Sequence, residues 1–220
     1  IAYTQHGLPL EDPRSLDLID LPKPTPGPRD LLVAVRAVAV NPVDTKVRAF
    51  FATDGARVLG WDAVGTVEQV GSDVTLFKQG DTVYYAGSLL RPGNHAEYGL
   101  VDERIAGHKP ASLSDAQAAA LPLTSLTAWE LLFDRLGVAE DGGAGKNLLI
   151  VGAAGGVGSI LVQLARKLTQ LTVIGTASRA ETRQWVQELG AHHVIDHGKP
   201  MAEQLQQLGV GPAHYIASLT

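Results

Sequence analysis

Four glycines lie within seven residues of the stretch "VGAAGGVGSI", which runs from Val151 to Ile160. The apolar run "NLLIV" leads into this stretch, and a second apolar stretch begins at Val157. A strand, a glycine-rich turn and a helix in this order bring free backbone N–H groups and the positive end of a helix dipole to one point. Such a point suits a pyrophosphate, so the sequence predicts a dinucleotide site at this turn.

The glycine spacing in this turn is Gly152-x-x-Gly155-x-x-Gly158, which differs from G-x-G-x-x-G. A glycine cluster alone also occurs in tight strand-to-helix turns that bind nothing. The alternation of strands and helices around the turn favours binding. The predicted contacts with the coenzyme come from the turn itself: Gly152, Ala154, Gly155, Gly156, Val157 and Gly158.

The end of the next predicted strand, "TASR", bears on the choice of coenzyme. An NAD site of this type has an Asp or Glu about 20 residues past the glycines, which accepts a hydrogen bond from the ribose 2′-hydroxyl. Here Ser178 and Arg179 offer a hydroxyl and a guanidinium, groups suited to a 2′-phosphate, and Arg183 could add charge one helical turn later. NADPH is therefore favoured over NADH. The alternative is that Arg179 is only a solvated surface residue.

The elements after residue 146 alternate between strand and helix. Strands are predicted at 147–151, 172–176 and 193–195, with helices at 157–168 and 180–189. This βαβαβ order is typical of a doubly wound parallel sheet. "HYIAS", at residues 214–218, is predicted as one more strand. A complete six-stranded dinucleotide fold needs two further strands, so we expect this Rossmann domain to be incomplete and the chain to be truncated at its carboxyl end.

The region before residue 110 differs in composition, because it contains short segments rich in β-branched residues that are separated by turns with Gly and Asp. "LLVAVRAVAV", "DAVGTVEQV" and "TVYY" are predicted strands, which indicates a small barrel or sandwich. Helices are predicted at 114–121, with Ser114 as the N-cap, and at 124–136. We therefore expect two domains, 1–120 and 121–220.

Composition excludes several classes of function. The chain has 220 residues, a net charge of −5 and no cysteine. The acidic balance and the lack of Lys/Arg clusters argue against nucleic acid or an anionic membrane as a partner. The lack of cysteine excludes disulfides and Cys-based zinc sites. No membrane span and no signal peptide are predicted, so a cytoplasmic location is expected.

The order of parts resembles the medium-chain dehydrogenase/reductase superfamily, and within it the zinc-independent, zeta-crystallin-like quinone oxidoreductase branch. The motifs that carry the resemblance are "VAVNPVDTKVR", "LGWDAVGTVEQVG", "FKQGDTVYY", "HAEYGLVD", "LPLTSLTAWELL" and "GAAGGVGS". The resemblance covers essentially the whole chain. It implies a GroES-like β-barrel catalytic domain followed by a Rossmann domain, and a continuation of roughly another hundred residues beyond this sequence.

The resemblance also bears on metal binding. Zinc alcohol dehydrogenases of this superfamily hold the catalytic metal with Cys, His and Cys, and the corresponding positions here are Asn41, Trp61 and Leu123. An amide, an indole and an alkyl group do not make a tetrahedral zinc site. We therefore expect chemistry without a metal.

Further site residues follow from the resemblance. Asn41 is the candidate for a hydrogen bond to the acceptor carbonyl, with Asp44 as a polar neighbour, although "NPVD" is also a good turn sequence. Trp61 is implied to face the nicotinamide, although a Trp is more often a core residue. Thr127 is implied to lie beside the nicotinamide ring. His197 replaces a Tyr that relatives often carry near the adenosine phosphate.

The expected activity is hydride transfer from NADPH to a quinone or an enone. These acceptors delocalise the charge that develops, so orientation and a few hydrogen bonds suffice without a Lewis acid. An enoyl thioester is another acceptor that the sequence leaves open. The rival class is a non-catalytic NADPH-binding module that senses the coenzyme or binds a partner protein. The full-length protein is a possible homodimer.

Overall fold

The computed structural model describes residues 1–219, which form two compact units, 1–123 and 124–219. The first unit is built on antiparallel strands and the second on parallel strands. This confirms the predicted combination of a β-rich GroES-like domain with a partial Rossmann domain.

The first unit contains a five-stranded antiparallel sheet and a two-stranded sheet. Strand order in the large sheet is β6-β2-β4-β5-β7, and β1 pairs with β3. The seven strands have these bounds: β1 Ala2–Tyr3, β2 Asp30–Val38, β3 Arg57–Val58, β4 Asp62–Val70, β5 Thr82–Ala86, β6 Tyr98–Asp102 and β7 Ala106–His108.

Apolar side chains of the central strands form the core of this sheet. Leu31, Val33, Ala63 and Val83 have no exposed surface, which fits the dense Val, Leu and Ala content of these segments. The register Val38↔Ala63 ends the pairing of β2 with β4. The residues that follow β2 are thereby brought beside the first residues of β4.

A helix that the sequence analysis did not predict follows β2. Helix α1, Pro42–Phe50, begins after Asn41, whose extended backbone makes it the N-cap. Pro42 occupies the first helical position, where its missing N–H costs nothing, and Asp44 places a carboxylate in the first turn. "NPVD" is therefore a helix start and not an isolated turn.

A short predicted helix in this unit is confirmed. Helix α2 is Asp115–Ala119, and Ser114 caps it. The Ser114 hydroxyl accepts from the Gln117 N–H at 3.2 Å, and the Gln117 side chain accepts from the Ser114 N–H at 3.0 Å. This reciprocal pair satisfies two N–H groups that the helix itself leaves without partners.

The predicted helix at 124–136 is longer and less regular than expected. An α-helix, α3, covers Pro122–Trp129, and a π-helix continues it over Glu130–Arg135. Gly137 ends the segment in the left-handed region, at φ +63°. Such π-helical turns are rare, and composition alone gives no signal for them.

The sheet of the second unit is parallel, with strand order β10-β9-β8-β11. The order runs outward from β8 in both directions, so β8 and β11 flank a topological switch point, where ligands of open α/β sheets bind. The elements are β8 Asn147–Val151, α4 Gly156–Leu168, β9 Thr172–Thr176, α5 Ala180–Glu188, β10 His193–Ile195, α6 Met201–Gln207 and β11 Tyr215–Ser218.

The core of the second unit lies between β8, β9 and the helices α4 and α5. Leu148, Ile150, Leu161, Val173 and Val186 are fully buried there. The predicted strands at 147–151, 172–176 and 193–195 coincide with β8, β9 and β10. Helix α6 was not predicted. Among residues 1–219, no helix combines the length and the apolarity that crossing a membrane requires.

Candidate functional site

The glycine turn between β8 and α4 uses its glycines for different reasons. Gly152 has φ +82°, a conformation that side chains with a Cβ rarely adopt. At Gly158 a Cβ atom would lie 2.4 Å from the Gly152 carbonyl oxygen, so only glycine lets α4 approach the strand end. At Gly155 a Cβ atom would meet only that same oxygen, at an ordinary 3.4 Å. Backbone conformation at residue 152 and packing at residue 158 therefore explain why these two positions are glycine. Neither reason explains why residue 155 is glycine.

The turn presents backbone N–H groups without a side-chain cap. Gly155 is the N-cap of α4 and has no side chain to bond the first turn, and Gly155 and Gly156 are both exposed. Ala154 and Val157 turn their side chains toward the core, so each offers only its backbone. The first N–H groups of a helix have no partner inside the helix. The N–H groups of Gly152 and Gly155 already donate, to the Thr176 hydroxyl and to the Gly152 carbonyl oxygen. The donors that suit an anion are therefore those of the first turn of α4, at Gly156, Val157 and Gly158.

The end of β9 is held beside this turn. The Thr176 hydroxyl accepts a hydrogen bond from the Gly152 N–H at 3.1 Å, and Thr176 is only 1% exposed. Ser178 and Arg179 come two and three residues after Thr176 and are exposed. Arg179 lies 3.6 Å from Glu181, and both side chains are more than 70% exposed, so this contact holds Arg179 weakly. The hydroxyl and the guanidinium expected to select the coenzyme therefore lie next to the glycine turn.

Arg183 has hydrogen bonds within the protein. Its guanidinium donates to the carbonyl oxygens of Ala177, at 3.2 Å, and Val194, at 2.9 Å. These bonds tie α5 to the carboxyl ends of β9 and β10. Arg183 therefore positions the strand tip, and its contact with a phosphate stays a prediction.

Thr127 and His197 are both exposed. Thr127 lies in α3, and His197 lies in the turn after β10. Neither residue lies in the glycine turn or at the tip of β9. Their contacts with a coenzyme stay predictions from the resemblance.

The first unit contains a buried polar chain that begins at Asn41. The Asn41 amide donates to one carboxylate oxygen of Asp62 at 3.0 Å, and the Leu123 N–H donates to the other at 3.0 Å. Asn41 is 7% exposed and Asp62 has no exposed surface. The pairing of β2 with β4 produces this contact, because Asn41 follows β2 and Asp62 begins β4.

The environment of Asp62 favours its neutral form. Burial raises the pKa of this carboxyl to about 6, against partial opposition from the hydrogen bonds of Leu123 and Asn41, and the charge of Asp44 adds to the rise. A carboxyl that titrates near neutrality beside a polar amide is typical of functional sites. Asp62 was not among the predicted site residues, although a carboxylate inside an apolar strand was a visible signal.

Asp44 and His95 extend this chain. One Asp44 oxygen accepts from the Asn41 N–H at 2.7 Å, and Asp44 is 3% exposed. Its second oxygen, Oδ1, and the Nε2 atom of His95 are buried without a hydrogen-bond partner in the part of the chain that the structure describes. Sequence reasoning missed His95 because it is far from Asp44 along the chain. We call Asn41, Asp44, Asp62 and His95 the polar cluster.

Trp61 is a core residue of the first unit. It is 1% exposed, packs with Tyr3, Val47 and Leu59, and donates its indole N–H to the Ser88 carbonyl at 2.9 Å. Its one polar group is therefore used inside the unit. The predicted position of Trp61 beside the nicotinamide stays an expectation from the resemblance.

The three positions that zinc enzymes use do not fit a metal. Asn41 gives its amide N–H to Asp62, Trp61 gives its indole N–H to a carbonyl, and Leu123 has no ligating atom in its side chain. Across residues 1–219, no group of three or more His, Cys, Asp or Glu side chains is arranged to hold a metal ion. The side chains at these three positions do not provide the ligands of a catalytic zinc.

An apolar groove of about 590 Å³ lies apart from the predicted site residues. It is lined by α6 and neighbouring segments of the second unit, including Leu149, Met201, Leu205, Ala213 and Ile216. None of the glycines of the turn or the residues at the tip of β9 lines it. The groove is therefore not the candidate coenzyme site.

Two family models match the chain in the order of its two units. Residues 27–111 match the alcohol dehydrogenase GroES-like domain, and residues 156–219 match the zinc-binding dehydrogenase domain. A zinc-type alcohol dehydrogenase-like protein of Staphylococcus aureus is 44% identical over 209 residues, or 94% of this chain and 62% of that protein. The chain belongs to the medium-chain dehydrogenase/reductase superfamily. The resemblance read from its motifs is thereby confirmed.

Other members of the superfamily are similar in sequence or in structure. The 2-methylene-furan-3-one reductase of Solanum lycopersicum is 37% identical over 218 residues, or 93% of this chain and 53% of that protein. A solved structure from Rhizobium etli, described as a candidate zinc-dependent alcohol dehydrogenase, has a TM-score of 0.93 and 55% identity over all of this chain and 64% of its own. The Escherichia coli quinone oxidoreductase, solved with NADPH, has a TM-score of 0.78 and 29% identity over 94% of this chain and 61% of its own.

The chain spans about 62% of the length of the Staphylococcus aureus relative that it matches.

Proposed function

We propose that this member of the superfamily is an oxidoreductase that transfers a hydride from NADPH to a conjugated carbonyl compound, a quinone or an enone, without a metal. The observation that carries the proposal is the glycine turn of the second unit. The first turn of α4 offers N–H groups that the helix does not use, and Gly155 has no side chain although the protein itself leaves room for one. A diphosphate that lies against this residue explains both facts.

The coenzyme preference rests on the tip of β9. Thr176 holds the tip beside the turn, and the next exposed residues are Ser178 and Arg179. A guanidinium and a hydroxyl stabilise the charge of a 2′-phosphate, whereas NAD sites place a carboxylate at such a position. The Escherichia coli quinone oxidoreductase, which was solved with NADPH, supports this choice.

The acceptor class rests on the first unit. Hydride addition to a conjugated carbonyl leaves negative charge on its oxygen, which a positioned N–H group stabilises. Asp62 accepts one N–H of the Asn41 amide and so fixes the plane of that amide, whose second N–H is available to the acceptor oxygen. Relatives named as a furanone reductase and as a quinone oxidoreductase support this class of acceptor.

The test is a parallel titration of the full-length protein with NADPH and NADH, followed by an acceptor screen with an ortho-quinone and a simple enone. We expect NADPH to bind at least about tenfold more tightly, which corresponds to about 1.4 kcal/mol, and to be oxidised steadily when an acceptor is present. Equal affinity for the two coenzymes would refute the NADPH assignment. Binding of NADPH without turnover of any acceptor would favour the rival hypothesis, a non-catalytic module that senses the coenzyme or binds a partner.

The variant Gly155→Ala sharpens this test. A methyl group at residue 155 meets no protein atom closer than 3.4 Å, and alanine costs an N-cap position little relative to glycine. We expect an unchanged melting temperature and a loss of NADPH affinity of about tenfold or more, because the methyl group occupies the place of the diphosphate. Unchanged NADPH affinity in a folded Gly155→Ala variant would show that the glycine turn is not part of the coenzyme site.

A further inference from the structure

Gly156 is a glycine that the backbone conformation does not require. It is the first residue of α4, and its φ lies outside the left-handed region that favours glycine. At such a position alanine is the better residue, because glycine loses more backbone freedom when a helix forms. A neighbouring group must therefore explain why residue 156 has no side chain.

A methyl group of Thr124 lies over Gly156. A Cβ atom at residue 156 would be 3.2 Å from the Cγ2 atom of Thr124, which is closer than the separation of about 3.5–4.0 Å at which two carbon atoms attract each other best. Gly155 differs, because a Cβ atom there would meet only the Gly152 carbonyl oxygen, at 3.4 Å. The protein itself therefore accounts for the glycine at residue 156, whereas it does not account for the glycine at residue 155.

The structure holds Thr124 in place by contacts outside α4. Thr124 lies in the first turn of α3 and is 9% exposed. Its neighbour Leu123 donates its backbone N–H to a carboxylate oxygen of Asp62 at 3.0 Å, and Asp62 has no exposed surface. A retreat of Thr124 from Gly156 would disturb this bond and the packing around the buried threonine. The start of α4 is therefore placed against a group that does not yield easily.

We propose that Thr124 is a positioning residue for the coenzyme, because its methyl group rests on Gly156 and sets the direction of the first N–H groups of α4. Those groups, at Gly156, Val157 and Gly158, are the donors that suit the diphosphate. Hydrogen bonds to a charged group are strong only at the right distance and angle. A small displacement of the start of α4 therefore weakens coenzyme binding although every donor is still present.

This inference rests on the proposed function, because it concerns the coenzyme that the glycine turn is proposed to bind. It adds a claim that diphosphate binding alone does not make. If the diphosphate itself occupied the space beside residue 156, a side chain introduced there would weaken binding whatever residue stood at position 124.

The experiment is a double-mutant cycle in the full-length protein, with Gly156→Ala, Thr124→Ser and the two changes together. Serine removes the methyl group of Thr124 and keeps its hydroxyl. We expect Gly156→Ala to weaken NADPH binding about tenfold and to lower the melting temperature by about 3 °C, because the added methyl group pushes α4 away from Thr124. Thr124→Ser alone should weaken NADPH binding about threefold, and the double variant should return to within about threefold of the unmodified protein.

Gly156→Ala combined with Thr75→Ser is the matched control. Thr75 is exposed and lies in the first unit, so the loss of its methyl group should leave NADPH binding as weak as in Gly156→Ala alone. Fluorescence titration measures the affinities, and thermal melts without coenzyme measure the stabilities. A Gly156→Ala variant that matches the unmodified protein in both would overturn the inference. If Gly156→Ala does not fold, recovery of folding in the double variant supports the inference, and failure to recover contradicts it.

The outcome separates this inference from the proposed function. NADPH binding that is weakened by Gly156→Ala and not recovered by Thr124→Ser would overturn the role of Thr124 and leave the coenzyme site intact. Absence of NADPH binding in the unmodified protein would overturn the proposed function. The melting temperatures of the same proteins would then still decide whether Thr124 sets the position of the turn.

Discussion

The glycine turn and the polar cluster differ in the chemical groups that they offer to a ligand. The turn offers backbone N–H groups and has no ionisable side chain of its own, and its residues are contiguous in the chain. The polar cluster offers three buried side chains, two of them carboxylates, and the half-buried imidazole of His95, gathered from positions between 41 and 95. The turn can therefore hold a charged diphosphate at any ordinary pH, whereas the cluster responds to protonation and to the loss of a single partner.

The buried carboxylate of Glu103 shows why the cluster is unusual. Glu103 accepts from Arg29 at 2.9 Å and from the N–H groups of Thr75 and Leu76 at 2.8 Å each. These bonds hold its pKa below the ordinary value. Asp62 is equally buried but has only an amide and one N–H as partners, and its pKa is raised. Glu103 is a structural carboxylate, and Asp62 has the properties of a functional one.

The largest effect is expected at Gly158 in the turn. Gly158→Ala would place a methyl group 2.4 Å from a backbone oxygen, so α4 must move away from the end of β8. We expect the free energy of unfolding to fall by about 3 kcal/mol, together with a loss of coenzyme binding. Denaturant titration beside Gly155→Ala checks this. Equal stability of the two variants would show that the turn relaxes easily and that its geometry is not set by packing.

A smaller effect with a pH signature is expected at Asp62. Its pKa rises from 3.8 to about 6 on folding, so its protonated form favours the folded state. This contribution is complete below about pH 4 and is lost as the pH rises through 6. Relative to Asp62→Asn, the unmodified protein should lose about 2 kcal/mol of unfolding free energy between pH 4 and pH 7.

Glu103→Gln is the control for that measurement, because the pKa of Glu103 is lowered and the sign reverses. Its carboxylate stabilises the fold above its ordinary pKa of 4.5, and this stabilisation is lost as the pH falls. Denaturant titrations at several pH values compare the two variants. Parallel pH curves for Asp62→Asn and the unmodified protein would refute the raised pKa.

The smallest effect is expected at the tip of β9. Arg179→Ala removes an exposed guanidinium and should weaken NADPH binding by about fivefold, or about 1 kcal/mol, while NADH binding is unchanged. Arg183→Ala should lower the melting temperature instead, because its guanidinium bonds to two carbonyl groups. Fluorescence titration with both coenzymes measures the effect. An equal loss of affinity for NADPH and NADH in Arg179→Ala would show that Arg179 does not bind the 2′-phosphate.

The two regions also differ in how far the sequence predicts them. The turn and its flanking strands were predicted with correct bounds, because glycine spacing and apolar runs are local signals. Asp62 and His95 were missed because their partners lie on other strands and loops, so only the pairing of β2 with β4 and the packing on Gly60 bring them together. At Trp61 and Arg183 the sequence did not show that the indole N–H and the guanidinium already donate to carbonyl groups of the protein.

The side chain of Trp185 gives the second unit an optical readout. Its indole is 47% exposed and donates to the Ser159 hydroxyl at 2.9 Å, in the first turn of the helix that follows the glycines. Reduced nicotinamide absorbs where indole emits, so energy transfer should dim this tryptophan when the coenzyme arrives. The chain has three tryptophans, and replacing Trp61 and Trp129 by Phe would leave Trp185 as its single indole emitter. Coenzyme arrival could then be followed in real time without attaching a dye.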